Sequence, residues 1–319
     1  MTQFPIVHLP AWPVGGAAPE ALAHDIAQWI GSAAMAALVR AFGGDLPAGD
    51  VDARLAYLED FSMVWDSRAG GERVDARYIE RDDATRKLIE AAAPALGLAG
   101  RQRPPVERYD HVLILGGGRI TGRARAQFAA ELLASGTSTG TVTGLGSLRE
   151  LPARPGQQDD PEITTEGDAM LAAVRQAFPP AGEIVTRTGT TADGNGWWAK
   201  SYPSDDRQIN VVAAPPTRPG QRANTPDTLT GWARFVTRPA PTDRVLLATT
   251  DLYVPFQHAE AIRVLGLPHR CGIDTVGFDT RSFGAWPNGP SHPGELLQEL
   301  RSAIRSLHTL HRQTLHVQL

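Results

Sequence analysis

Cysteine is almost missing from this chain. A single one, Cys271, occurs in 319 residues, which excludes an intrachain disulfide framework and a thiolate metal site. Such a lone thiol reads as a buried structural group. An excess of basic charge is missing too: 31 Lys and Arg stand against 35 Asp and Glu, for a net charge of −4. That argues against a surface built to neutralise nucleic-acid phosphates. No run of about 20 apolar residues exists, so no membrane helix is expected. The most apolar early stretch, Ala17 to Phe42, is interrupted by Glu20, His24, Asp25 and Arg40. The start, Met1-Thr2-Gln3-Phe4-Pro5, has neither the basic beginning nor the apolar core of a signal peptide. A cytoplasmic protein with no membrane and no nucleic-acid partner is expected. Two nucleotide signatures are lacking as well: the spaced-glycine dinucleotide fingerprint and the Lys-Ser/Thr pair of a phosphate loop.

What is present is ordinary globular composition, 42% hydrophobic and 21% charged, in a chain long enough for one large or two ordinary domains. Residues 1–107 read as helical. Pro19 to Phe42 carries Leu22, Ile26, Ile30, Ala34 and Leu38 at helical spacing and stops at Gly43-Gly44. Val51 to Trp65 is a second helix candidate. Asp82-Asp83 can cap a third, Ala84 to Leu96, which Gly97 stops.

From residue 108 to 319 strands alternate with helices. The strand candidates are His111–Leu115, Thr141–Thr143, Glu183–Thr186, Ile209–Ala213, Arg244–Thr249 and Thr275–Phe278. Helices are expected over Arg119–Ala134, Thr165–Ala177, Thr225–Val236, Pro255–Leu265 and Pro293–His311. This alternation predicts an α/β domain with a mostly parallel sheet, whose ligand sits beyond the carboxyl ends of the strands.

The first strand runs into Gly116-Gly117-Gly118-Arg119. Glycines let the backbone turn sharply and bring N–H groups close to a ligand. A helix opening at Arg119 would aim its positive end at the same spot, which suits an anion. A purely structural turn is the alternative. The second strand is read as ending at Thr143-Gly144, with Arg149 and Glu150 following. Pro152 to Thr165 is a lid or a solvated connector, and Glu166 and Asp168 open the next helix. Arg218 and Arg222 precede Asn224 and Thr225, the latter read as an N-cap before Pro226. Arg218 and Arg222 are candidates to hold a carboxylate or phosphate. Thr250, Asp251, Tyr253, Gln257 and His258 crowd the end of another strand. Asp251 is the best-placed carboxylate, and His258 is a general base or a packed histidine. Trp197-Trp198 either stack on a planar ligand or plug an interface. His308 and His311 lie one turn apart, a spacing that permits metal but more often marks a solvated face, so no metal is expected.

Taken together, these strand ends resemble the YdcF-like family, which includes the SanA and ElyC types. Leu115 to Arg119 matches its first motif, an apolar strand ending in a Gly-Gly-Gly-like turn and an arginine-bearing helix. Thr143-Gly144 with Glu166 matches the second loosely. Asn224-Thr225-Pro226-Asp227-Thr228 matches the Asn-Thr motif that opens a helix, and Thr249-Thr250 with Pro255 and Ala259 matches the fourth in part. The resemblance covers about residues 109–270 and implies a Rossmann-like sheet with the site across these loops. Tyr253 stands where the family's histidine would be, and Phe256-Gln257-His258 replaces its arginine. The helical first third has no counterpart in the short members.

The expectation is therefore a Rossmann-like α/β domain preceded by a helical region. It would be an enzyme, a hydrolase or group transferase, acting on an anionic, nucleotide- or phosphate-bearing small molecule. Asp251, Glu150 or Glu166 would supply acid–base chemistry. Gly116, Gly117, Gly118, Arg119, Thr143, Gly144, Arg149, Arg218, Arg222, Asn224 and Thr225 would bind the anion, and Thr250, Tyr253 and Gln257 would orient substrate. A non-catalytic metabolite sensor or interaction protein is one alternative, and an S-adenosylmethionine-dependent transferase another. No resident cofactor is legible, nor is the oligomeric state.

Overall fold

The computed structural model describes residues 3–68, 76–78, 80–100, 102–151, 162–218, 221–282 and 291–317. Four helices come first: α1 (Pro19–Ile30), α2 (Ala33–Ala41), α3 (Val51–Phe61) and α4 (Asp83–Ala95). The expected single helix over Pro19–Phe42 is thus two. Ser32 splits it, because its hydroxyl accepts the Met35 N–H and caps α2. Asp50 caps α3 through Ala53, and Ser62–Trp65 tightens into a 3-10 turn. Asp82 caps α4 through Thr85, and Gly97, at φ 80°, ends that segment.

The second part holds β1 (His111–Ile114), α5 (Arg119–Ala134), β2 (Thr141–Ser147), α6 (Glu166–Ala177), β3 (Val185–Thr190), β4 (Gly196–Ser204) and β5 (Arg207–Ala214). Then come α7 (Thr225–Phe235), β6 (Arg244–Thr250), α8 (Val254–Ala261), the short α9 (Leu267–His269), β7 (Gly272–Phe278) and α10 (Pro293–Val317). The strands make one sheet in the order β3-β4-β5-β2-β1-β6-β7. The five from β5 to β7 are parallel, and β3 and β4 add an antiparallel flap. This is the expected Rossmann-like α/β fold.

Both faces of the sheet are covered, and that explains why its central strands read as unbroken apolar runs. Val112, Ile114, Leu246 and Ala248 pack under α5 and α6 with Phe128, Met170 and Val174. Leu113, Leu115, Val245 and Leu247 face the other way, toward α7, α8 and α10. The helices of the first 107 residues have no core of their own. Leu22, Ile26, Trp29, Met35, Leu55 and Ile89 join that second face through Leu297, Leu300 and Ile304 of α10.

Two departures from the expected elements matter for the site. β2 does not stop at Thr143 but continues to Ser147, all of it paired with β5. β4, carrying the Trp197-Trp198 pair, is a strand that was not among the expected ones. Its interior Pro203 and its burial pattern, which does not alternate along the strand, conceal it from a pattern reading. The proposed lid, Pro152 to Thr165, lies mostly outside the described residues.

Candidate functional site

In an open α/β sheet the ligand crevice opens where successive crossovers leave in opposite directions. Here β1 connects through α5 to β2 on one side, while β6 lies on its other side. Gly116-Gly117-Gly118 therefore sits at the switch point. Space alone demands glycine at two of these positions. A Cβ on Gly116 would come within 2.6 Å of the Leu145 carbonyl oxygen, and one on Gly117 within 2.8 Å of the Thr121 side chain. Gly118, by contrast, faces open space and precedes a 16-residue helix without any side-chain cap. The N–H groups of Gly116, Gly117 and Gly118 meet no acceptor among the described residues.

Arg125 holds this turn from beneath. Its guanidinium donates to the carbonyls of Leu115, at 3.1 Å, and Gly116, and its Nε donates to the Thr250 hydroxyl at 3.1 Å. The Tyr253 ring lies 5.5 Å away, and the arginine is only 2% exposed. One buried cation thus ties the ends of β1 and β6 together. The sequence pattern pointed to Arg119 and not to this arginine. The signal was available: Gly122, Arg125 and Ala129 share the helical spacing of the stripe that faces the sheet.

Next to the turn, at the end of β2, stands a second group. The Ser147 hydroxyl donates to Glu166 at 2.7 Å, and Arg149 lies 3.5 Å from the other Glu166 oxygen. Glu166 opens α6 behind a reciprocal cap, in which Thr165 and Asp168 bond each other's backbone N–H. Burial pushes the Asp168 carboxyl up, but the Thr165 and Thr164 donors outweigh it and hold the pKa low. Arg119 reaches from α5 to the Ile163 carbonyl at 2.8 Å. The glycine turn, Arg119, Ser147, Arg149 and Glu166 therefore form one contiguous edge. Ser147 is a further member that was not among the expected binding or catalytic residues.

Other expected residues fall elsewhere. Thr143 and Gly144 lie inside β2, opposite Asn210 and Val211, and are buried. They cannot reach the strand ends. Gly144 is glycine because α6 is close: a Cβ would stand 2.7 Å from Val174 and 2.8 Å from Met170. Glu150 is exposed and pairs through its backbone with Thr165. Asn224, not Thr225, caps α7, and Asp227 returns the bond and also receives the Thr217 N–H. The Thr225 hydroxyl accepts from Gln257, whose carbonyl oxygen takes the Thr249 hydroxyl. That chain locks α7 and α8 onto β6. Arg218 and Arg222 are exposed on the connection after β5.

Asp251 is 2% exposed and accepts the N–H groups of Gly100, at 3.0 Å, and of Leu252. Burial pushes its carboxyl up to about 7, the two N–H donors pull it back only in part, and nearby Asp279 adds to the rise. Tyr253 is buried over Arg125. His258 is packed: Nε2 donates to the Pro10 carbonyl at 2.8 Å, Nδ1 meets the Thr275 hydroxyl, and burial lowers its pKa. Trp197 stacks on Phe235 with centroids 4.2 Å apart, so it plugs α7 against β4. His308 faces Glu59 and Asp52 of α3, at 2.7 and 3.4 Å, and is neither solvated nor part of a metal cluster among the described residues.

Residues 14–97 match the family model for the Rv3785 N-terminal domain. The chain is 32% identical over 318 residues to uncharacterized protein Rv3785 of Mycobacterium tuberculosis, spanning 88% of this chain and 87% of the relative. The same figures hold for uncharacterized protein Mb3814 of Mycobacterium bovis. The chain belongs to the Rv3785 family. No solved structure matches it. In this Rv3785-family member the N-terminal match ends at Gly97, the residue that closes the α4 segment, and the strand-end site lies wholly after it. No helix among the described residues is long and apolar enough to cross a membrane.

Proposed function

We propose that this protein binds a phosphate-bearing small molecule of the nucleotide or sugar-phosphate class at Gly116–Gly118 and acts on it as a hydrolase or group transferase. The observation that carries this reading is the set of glycine N–H groups without acceptors at the head of α5, in the switch-point crevice. Such a nest, backed by a helix dipole, accepts a dianionic oxygen group. Arg119 and Arg149 flank it and would neutralise further phosphate oxygens. Exposed Arg218 and Arg222 follow β5 along the same edge of the sheet.

Glu166 is the carboxylate best placed for chemistry. Its side chain is 17% exposed at the rim, and Ser147 and Arg149 hold it in one orientation. It would take the proton from water or an acceptor hydroxyl as that oxygen attacks phosphorus and the P–O bond to the leaving group breaks; the departing oxygen takes a proton from solvent, and the nest stabilises the charge that develops on the phosphoryl oxygens. Asp251, sealed behind the Gly100 segment, serves in this reading to dock that segment. The likeness of Leu115–Arg119 to the first YdcF-like motif is a further support.

The test is a calorimetric and thermal-shift titration with inorganic phosphate, nucleotides and sugar phosphates, on the native chain and on Gly118→Pro. Gly118 already has φ −63°, which proline adopts, and a Cβ there meets nothing, so the change deletes an N–H donor. An anion-dependent shift that falls at least tenfold in affinity in Gly118→Pro supports the site, and loss of turnover in Glu166→Gln supports the chemistry. Absence of any anion response, or equal affinity in Gly118→Pro, overturns it. Tight binding without turnover would favour the metabolite-sensor alternative.

A further inference from the structure

The opposite edge of the sheet, where β6 and β7 begin, carries a cavity of about 360 Å³ that no strand-end residue lines. The N-terminal arm makes one wall. Trp12 accepts the Ile273 N–H on its carbonyl, which fixes the arm along β7, and its indole is 6% exposed. One edge of that indole packs on Gly266, at the end of a π-helical turn over Ile262–Gly266, where a Cβ would come within 2.5 Å of Nε1. The benzo edge reaches the Gly15-Gly16 turn, which also lines the cavity. Leu267 and the first residues of α1 add apolar surface, and Thr314 of α10 closes one side.

The backbone around this cavity is unusual in three places. Gly15 and Gly16 have φ of 83° and 88°, and Arg270, a non-glycine residue, has φ of 60°. Left-handed backbone at a branched-free but bulky residue is uncommon and costs energy, so the fold specifies it. It is held here, since the Gly15 N–H donates to the Arg270 carbonyl at 2.9 Å. The result sets the Arg270 side chain, which is exposed and meets no carboxylate among the described residues, at the cavity. Ala18 begins α1 without a side-chain cap. Arg238 adds positive potential nearby, because with burial it lowers the pKa of the adjacent His269. The acidic counterweight in the first turn of α1 is Glu20, which is exposed.

We infer that this cavity is a second ligand site, for a small planar aromatic carboxylate. The ring would lie in the apolar slot against Trp12 and Leu267, and the carboxylate would meet Arg270 at the rim. The volume suits such a molecule, since small-ligand pockets begin at about 300 Å³. An aromatic wall with a single guanidinium favours one planar anion over a bulky polyphosphate.

The experiment is calorimetry with 1-naphthoate and its uncharged counterpart 1-naphthalenemethanol. It uses the full chain and the variants Arg270→Asn and Ala17→Phe, with melting curves to verify folding. Asparagine tolerates the left-handed backbone, so Arg270→Asn removes charge and reach while leaving the turn. One-to-one naphthoate binding is expected. It should weaken at least tenfold in Arg270→Asn, be lost in Ala17→Phe and be unchanged in Gly118→Pro. The alcohol should bind at least tenfold more weakly than naphthoate and ignore Arg270→Asn. No saturable naphthoate binding at millimolar concentration, or equal affinity in both cavity variants, overturns the inference. Because Gly118→Pro alters only the strand-end site, failure of one site is distinguishable from failure of the other.

Discussion

Arg125 is the side chain on which the geometry of the strand-end site depends, and Arg125→Met measures that dependence. Methionine keeps the length of the aliphatic stem and fills irregular space well. It donates nothing to the Leu115 and Gly116 carbonyls or the Thr250 hydroxyl, and it loses the Tyr253 ring contact. Hydrogen bonds from a charged donor contribute about 1.5–3 kcal/mol each, but three from one guanidinium are not additive. Removing a buried charge also relieves its desolvation cost. Balancing the two, Arg125→Met should destabilise by about 2–4 kcal/mol, within the range for breaking a buried polar network. In a chain of this size that lowers Tm by about 4–8 °C at roughly 2 °C per kcal/mol. Arg125→Lys keeps the charge but cannot fork to three acceptors, so it should recover less than half. Urea melts and calorimetry read both. A loss under 0.5 kcal/mol in Arg125→Met would refute the claim that this arginine holds the glycine turn in place.

Three further outcomes follow from the same structure. The Asp251 carboxyl titrates near 7 when folded, against 3.8 as its ordinary value, so the native state binds the extra proton between those limits. Stability should then fall as pH rises from about 4 to about 7 and level off above, by up to about 4 kcal/mol at 1.36 kcal/mol per unit; Asp251→Asn should flatten the profile, and a native profile that rises over this range contradicts the placement. Gly146→Ala would put a Cβ 2.7 Å from the Gly167 Cα. Because the obstacle is backbone, it should cost about 1–3 kcal/mol, while Gly140→Ala, which meets nothing, should stay within about 0.5 kcal/mol in the same denaturation assay. Ala18→Ser supplies the cap that α1 lacks and should stabilise by about 0.5–2 kcal/mol; no gain in Tm would mean that the first-turn N–H groups are already satisfied.

The elements of the second half were legible because their causes are local. The apolar run His111–Leu115 stops at three glycines, and Thr165 and Asp168 form a cap with fixed spacing. The cap at Asp82 and the alternation of strand and helix are likewise written within a few residues of themselves, whereas the α7 cap read at Thr225 falls one residue earlier, at Asn224. The glycine turn at the end of β1 and Glu166 near the end of β2 belonged to that legible part.

What the tertiary structure alone decided was which side chains meet. Thr143 and Gly144 read as a strand end, but pairing with β5 carries β2 three residues further and buries them. Asp251 read as the carboxylate best placed for chemistry, but the Gly100 segment, distant in sequence by 151 residues, covers it. Arg125 and Ser147 gave no motif, because their partners Thr250 and Glu166 come from other elements. The cavity at Trp12 needs both chain termini, joining the arm, α1 and Thr314. Backbone propensity and capping act over one turn of chain and can be read from it. Burial, charge pairing and pocket shape are sums over neighbours that only the folded topology brings together.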